Sequence, residues 1–114
     1  MSQLDAHLPL KAVDFHILLV LTDQDLHGYG IVKDIELRSD GRIRLEPGNL
    51  YRYVRRLVDE GLIAPAERRP TGADERRRYY RVTDLGRKVL AAEVSRMRSL
   101  IQVAEAGLAG EHSL

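Results

Sequence analysis

The stretch RIRLEPGNLYRYVRRLVDEGLI, residues 42–63, decides how this chain folds. Pro47 suits a first helical turn, where its missing N–H costs nothing, and the stretch closes on a rule-bound helix stop. A helix is expected over residues 47–60. With Pro47 at zero and 100° added per residue, Leu50, Val54, Leu57 and Val58 fall within an arc of about 100°. Arg52, Arg55 and Arg56 lie together between about 80° and 180°, with Gly48 and Asn49 beside them near the amino terminus. One face is apolar and the other cationic. Tyr51 and Tyr53 fall on opposite borders of the apolar arc, where half-buried packing and a phosphate contact both suit a tyrosine.

Upstream, PLKAVDFHILLVL (residues 9–21) begins with Pro9 and is apolar nearly all round, so a buried helix is expected from there. The polar break TDQDLHG (22–28) precedes YGIVKDIELRS (29–39), where Ile31, Ile35 and Leu37 recur at helical spacing until the turn signal at Ser39, Asp40 and Gly41. RIRLE (42–46) reads as a single short strand before the third helix. Downstream, residues 62–69 and 76–83 read as two strands around PTGADE, with Pro65 marking an edge. Tyr79 and Tyr80 alternate across the second strand, so one is expected to pack inward with Val82 while its neighbour faces out. Thr83 then caps a long helix, and Asp84 favours its positive end.

The expected fold is therefore mainly α with a small β-hairpin (α+β). Helix, helix, short strand, helix, hairpin, helix is the order of a winged helix-turn-helix. Residues 1–83 form that domain, with a wing at 62–83, and residues 84–110 continue from it as one helix. At 114 residues there is room for one core.

Net charge is +1, but it is unevenly placed. Residues 1–46 carry five Lys/Arg against eight Asp/Glu, residues 47–83 carry nine against five, and the rest balances. Such segregation is the footprint of a surface that meets a polyanion. Charge on an isolated exposed helix is usually only solvated; here the helix stands third in a helix-turn-helix order, before a basic hairpin. The wing sequence AERRPTGADERRRYY adds Arg68, Arg69, Arg76, Arg77 and Arg78, while Asp74 and Glu75 weaken the field at its tip. Helices of this kind enter the DNA major groove, where Arg pairs with guanine and Asn with adenine. Base reading is assigned to Asn49, Arg52 and Arg56, and phosphate contacts to Tyr51, Arg55, Arg69, Arg76 and Arg77. His27, with Tyr29 close behind, marks the start of the second helix, where a backbone phosphate contact and a helix-entry role fit equally.

HGYGIVKDI (27–35), LEPGNLYRYVRRLVDEGLI (45–63) and DERRRYYRVTDLGRKVL (74–90) together resemble the PadR family of bacterial transcriptional regulators over roughly residues 10–106. The resemblance implies a homodimeric DNA-binding repressor, with DNA contacts at Gly48, Asn49, Tyr51, Arg52 and the wing. Glu46 and Asn49 stand where that family often has Ser and Thr, and Glu46 is a weaker helix cap that puts negative charge near DNA.

Leu90, Val94, Met97, Ile101, Ala104 and Leu108 follow alternating steps of four and three, a coiled-coil seam that predicts a partner helix, most simply that of a second copy. A two-fold protein of this kind binds a pseudo-palindromic site. Partners are thus double-stranded DNA and a second protomer, with a small-molecule effector left open. No cysteine is present, the four histidines show no metal-ligand spacing, and no Walker or dinucleotide loop occurs, so no metal, no cofactor and no enzymatic activity are expected. The longest wholly apolar run, residues 17–21, is too short to cross a bilayer, which places the chain in the cytoplasm. A winged helix used for protein–protein contacts without specific DNA binding is the alternative.

Overall fold

The apolar stretch before residue 22 lies at the centre of the molecule: in α1 (Ala12–Leu21), Ile17, Leu18, Val20 and Leu21 are at most 2% exposed. In the computed structural model, which describes residues 3–66 and 77–111, a 3-10 turn at Gln3–His7 precedes α1, and β1 (Leu26–His27) and α2 (Gly28–Arg38) follow it. Next come α3 (Pro47–Asp59), β2 (Ile63–Pro65), β3 (Tyr79–Val82) and α4 (Asp84–Glu111). Ile31 and Ile35 of α2, Leu50, Val54 and Leu57 of α3, Leu62, Ile63, Tyr80, Val82, Val89 and Leu90 close one apolar cluster around α1. This is a winged helix-turn-helix with a long carboxy-terminal helix.

Several expectations need correction. α1 starts at Ala12, not Pro9, because Lys11 is extended and the Leu10 N–H is donated to Glu93 Oε2 at 2.8 Å. Leu37 is 76% exposed and lies outside the core. Residues 42–46 form no strand: the Ile43 N–H is taken by Ser39 Oγ at 3.0 Å, and Ile43 and Leu45 pack their side chains against the core. The strand comes instead from the polar break. Leu26 and His27 pair antiparallel with Tyr80 and Tyr79, so the sheet order is β1-β3-β2. Tyr80 packs inward with Val82 as expected, but Tyr79 is buried too, because β1 lays the His27 ring edge-on to it at 5.2 Å. Pro65 ends the outer strand β2, where a residue without an N–H is tolerated. The hairpin tip, with the expected turn at PTGADE and with Arg68, Arg69 and Arg76, lies outside the described residues.

The end of α3 and the start of α4 are sewn together. Past Glu60, Gly61 takes φ +77°, and the Leu62 and Gly61 N–H groups return to the carbonyls of Leu57 and Val58 at 3.0 Å each. The freed Gly61 carbonyl accepts from Thr83 Oγ1 at 2.6 Å, while that hydroxyl accepts from Gly86 N–H at 3.0 Å. Thr83 N–H donates to the Leu62 carbonyl at 3.1 Å. Thr83 is therefore both the cap of α4 and its link to α3.

α4 has two parts. Its first turns bury Val89, Leu90 and Glu93 against the winged domain, whereas residues 98–110 are exposed. Its 28 residues span about 42 Å. The projection raises the radius of gyration to 16.6 Å, against about 13 Å for a compact chain of this length.

Glu93 is 2% exposed and holds the amino-terminal segment to α4 by accepting from Leu10 N–H and from Arg96. The Arg96 hydrogen bond, then the Leu10 N–H, hold its carboxyl below the ordinary glutamate range despite opposing burial. A carboxylate with a depressed folded-state pKa stabilises fully above its unfolded value and loses that contribution as pH falls through the folded one. Glu93→Gln is expected to flatten the acid-side fall of thermal stability below about pH 5 while changing the neutral slope little. Parallel melting curves for the two proteins from pH 5 to pH 3 would refute this.

Candidate nucleic-acid interface

α3 buries Leu50, Val54 and Leu57 and turns Gly48, Asn49, Tyr51, Arg52 and Arg55 to solvent. The angular reading of this helix therefore carries over, with Val58 half-buried at the margin of the apolar face. Glu46 stands at the N-cap without a side-chain hydrogen bond, so the first N–H groups of α3 lack a side-chain partner from that residue. A Cβ added at Gly48 would meet nothing within 4 Å, which leaves the backbone there open to close approach. Arg52 and Arg55 form no ion pair or hydrogen bond with the described residues.

Arg56 does not share that surface. Its Nη2 donates to both oxygens of Asp14 on α1, at 2.6 and 2.7 Å, and its Nη1 lies 3.8 Å from Glu60. The hydrogen bond to Asp14 is the main cause that raises the guanidinium pKa further above its ordinary value. The assignment of Arg56 to base reading is corrected accordingly: the guanidinium, half-buried, is engaged by Asp14 of α1. Tyr53 is half-buried beside it, its ring centroid 5.9 Å from Arg56 Cζ, whereas Tyr51 is 62% exposed.

Tyr51 lines a cleft with His27, Gly28, Tyr29, Arg77, Arg78 and Tyr80, between the start of α2, α3 and the wing strand. His27 enters α2 as its N-cap, its Nδ1 accepting from Gly30 N–H at 3.1 Å, which gives it the helix-entry role. Its ring lies parallel to that of Tyr29, which is 57% exposed. Arg77 Nη1 approaches His27 Nε2 at 2.9 Å. A neutral imidazole has one acceptor nitrogen, so Gly30 N–H and Arg77 compete for it. Arg78 is exposed beside them. Arg69 and Arg76 lie outside the described residues.

Asp14 was the residue missed by reading α3 alone. Its signal is in the sequence: Asp14 is the one carboxylate in a helix whose remaining residues, His16 apart, are apolar, and a buried carboxylate calls for a cation nearby. Among the expected seam residues Leu90 also needs correction, since it is 7% exposed in its own chain's core; of the others, Val94, Ile101, Ala104 and Leu108 are exposed and Met97 is half-buried.

The Transcriptional regulator PadR-like family matches residues 17–92, from the middle of α1 into α4. This chain belongs to the PadR-like family of transcriptional regulators. Members of the PadR-like family are regulators and not enzymes. A Mycobacterium tuberculosis protein described as Transcriptional regulator Rv3488 is 32% identical over 100 residues, 88% of this chain and 86% of its own length. A transcriptional regulator from Clostridium thermocellum superposes with a TM-score of 0.68 at 27% identity, covering 93% of this chain and 96% of that one. Bacillus subtilis PadR, solved in complex with operator DNA, has the same fold, with a TM-score of 0.62 at 23% identity over 74% of this chain and 47% of its own. Among the described residues no helix is long and apolar enough to cross a membrane.

Proposed function

We propose that this PadR-like chain is a cytoplasmic, homodimeric repressor that binds a pseudo-palindromic operator in double-stranded DNA. The observation that carries the reading is the exposed face of α3, where Asn49, Arg52 and Arg55 stand beside the Tyr51 cleft while the opposite face is buried. Asn49 and Arg52 are the base-reading residues, near the amino end of the helix where docking in the major groove brings side chains to base edges. Tyr51, Arg55 and Arg77, with Arg69 and Arg76 of the wing, anchor phosphates, and His27 and Tyr29 border the backbone path. The solved complex of Bacillus subtilis PadR with operator DNA supports the choice of DNA as the partner. The exposed seam from Val94 to Leu108 supplies the dimer.

Selection from a randomised duplex library, followed by titration at two salt concentrations, tests this. Two half-sites about one helical turn apart are expected. Arg52→Ala is expected to lose about 1 to 3 kcal/mol on the selected site and to relax base choice at one position, whereas Arg77→Ala is expected to weaken all duplexes evenly and flatten the salt slope by about one unit. Selection that enriches no sequence, or equal losses of both variants on selected and random DNA, overturns the assignment.

A further inference from the structure

We infer that Arg56 and Asp14 form a clamp that sets the orientation of the recognition helix, which makes both specificity-determining positioning residues although neither touches a base. The inference rests on the DNA-binding reading. Asp14 is 3% exposed and lies on α1 among Ile17, Leu18 and Leu21, which are at most 2% exposed. A carboxylate in that setting is strongly disfavoured unless paired, and among the described residues Arg56 is its ion-pair partner. One guanidinium nitrogen serves both carboxylate oxygens, the other faces Glu60, and the Tyr53 ring flanks the group. These groups belong to α1, to α3 or, for Glu60, to the residue that caps the end of α3.

Among the described residues no other hydrogen bond or ion pair joins α1 to α3, and apolar burial is non-directional: it decides which face of α3 is buried but leaves small rotations and slides of the helix weakly opposed. A short ionic hydrogen bond between them does fix both, which is the best-attested use of a buried polar pair. Arg52 stands one turn before Arg56 on the same stripe of α3. The stripe is therefore divided, its carboxy-terminal arginine bound to the core and its amino-terminal one presented outward. A rotation of α3 that releases Arg56 carries Arg52 with it.

The test is a double-mutant cycle in the full-length protein: Asp14→Asn, Arg56→Gln, both together, and Arg56→Lys, each titrated with selected operator and random duplex below its melting temperature. Asp14→Asn makes the protein more positive by one charge, so electrostatics alone predicts tighter DNA binding. The clamp predicts the reverse on operator: about tenfold weaker binding for each single variant, with random-duplex affinity within about threefold of wild type. The double variant is expected to be no worse than the weaker single one, and Arg56→Lys, whose ammonium serves Asp14 in the same way, to stay within about threefold. If Asp14→Asn binds operator like wild type while Arg56→Gln relaxes one base pair, Arg56 reads a base and the inference is overturned. Losses on operator and random duplex in equal proportion overturn it as well, as a merely structural role. A wild-type chain with no operator preference overturns the DNA reading first, and is recognised before any variant is compared.

Discussion

Gly86→Ala is expected to leave little folded protein at growth temperature. A Cβ at that position would sit 2.1 Å from the Leu62 carbonyl oxygen, 2.8 Å from Val82 Cγ2 and 3.0 Å from the Leu62 carbonyl carbon. Two of these atoms are backbone, so no side chain can swing aside. Leu62 itself is fully buried, and its carbonyl accepts the Thr83 N–H, so retreat breaks the link between α3 and α4. Overpacking alone costs about 1 to 3 kcal/mol, and the lost hydrogen bonds bring the total to about 3 to 5, a large part of the 5 to 15 that holds a typical domain folded. Gly107→Ala is the control: a Cβ there meets nothing within 4 Å, and alanine in a helix is favoured by up to about 1 kcal/mol. Thermal unfolding of the two variants checks both, and a Gly86→Ala protein melting within about two degrees of wild type would remove the close approach from the account.

Ile101→Glu is expected to have the opposite profile, a large effect on assembly and almost none on the protomer. Ile101 is 58% exposed, and its neighbours on the seam, Val94 and Leu108, are 37% and 58% exposed. Nothing in the protomer's core depends on them. In the proposed dimer, Ile101 lies near the middle of the paired helices, where two glutamates would face each other in an apolar seam. Loss of the dimer removes the second half-site from each binding event, which lowers operator affinity by about a hundredfold or more without altering any DNA contact. Light scattering during gel filtration, together with titration of whole and half operators, measures both consequences. Leu37→Glu, at another exposed leucine, is expected to change neither. An Ile101→Glu protein that remains dimeric at micromolar concentration would place the interface elsewhere.

What could be read in advance was what lies within one element. The angles along α3, the stop at about Glu60, the cap at Thr83 and the edge position of Pro65 depend on a few neighbouring residues, and each appears as expected. What could not be read depends on distant partners. Two residues, Leu26 and His27, have no periodicity; they become a strand because β3 offers them an open edge, and they cover Tyr79 for the same reason. Arg56 looks identical to Arg52 and Arg55 on a helical wheel, and Asp14, 42 residues away, takes it out of the set. Leu90 satisfies the spacing of a seam as well as that of a core, since both require apolar residues at nearly the same period. Only the position of the rest of the chain separates them.

The seam between Gly61, Leu62, Thr83 and Gly86 has a mechanical consequence. Because hydrogen bonds join the end of α3 to the start of α4, the two are expected to move as one bent lever. In a two-fold assembly the distance between the two reading heads is then fixed by the crossing of the long helices, not by diffusion of tethered domains. Such a protein measures DNA as a caliper does. One extra base pair between half-sites displaces one of them by about 3.4 Å and turns it by about 35°, and the duplex, being the softer body, has to twist or bend to make up the difference.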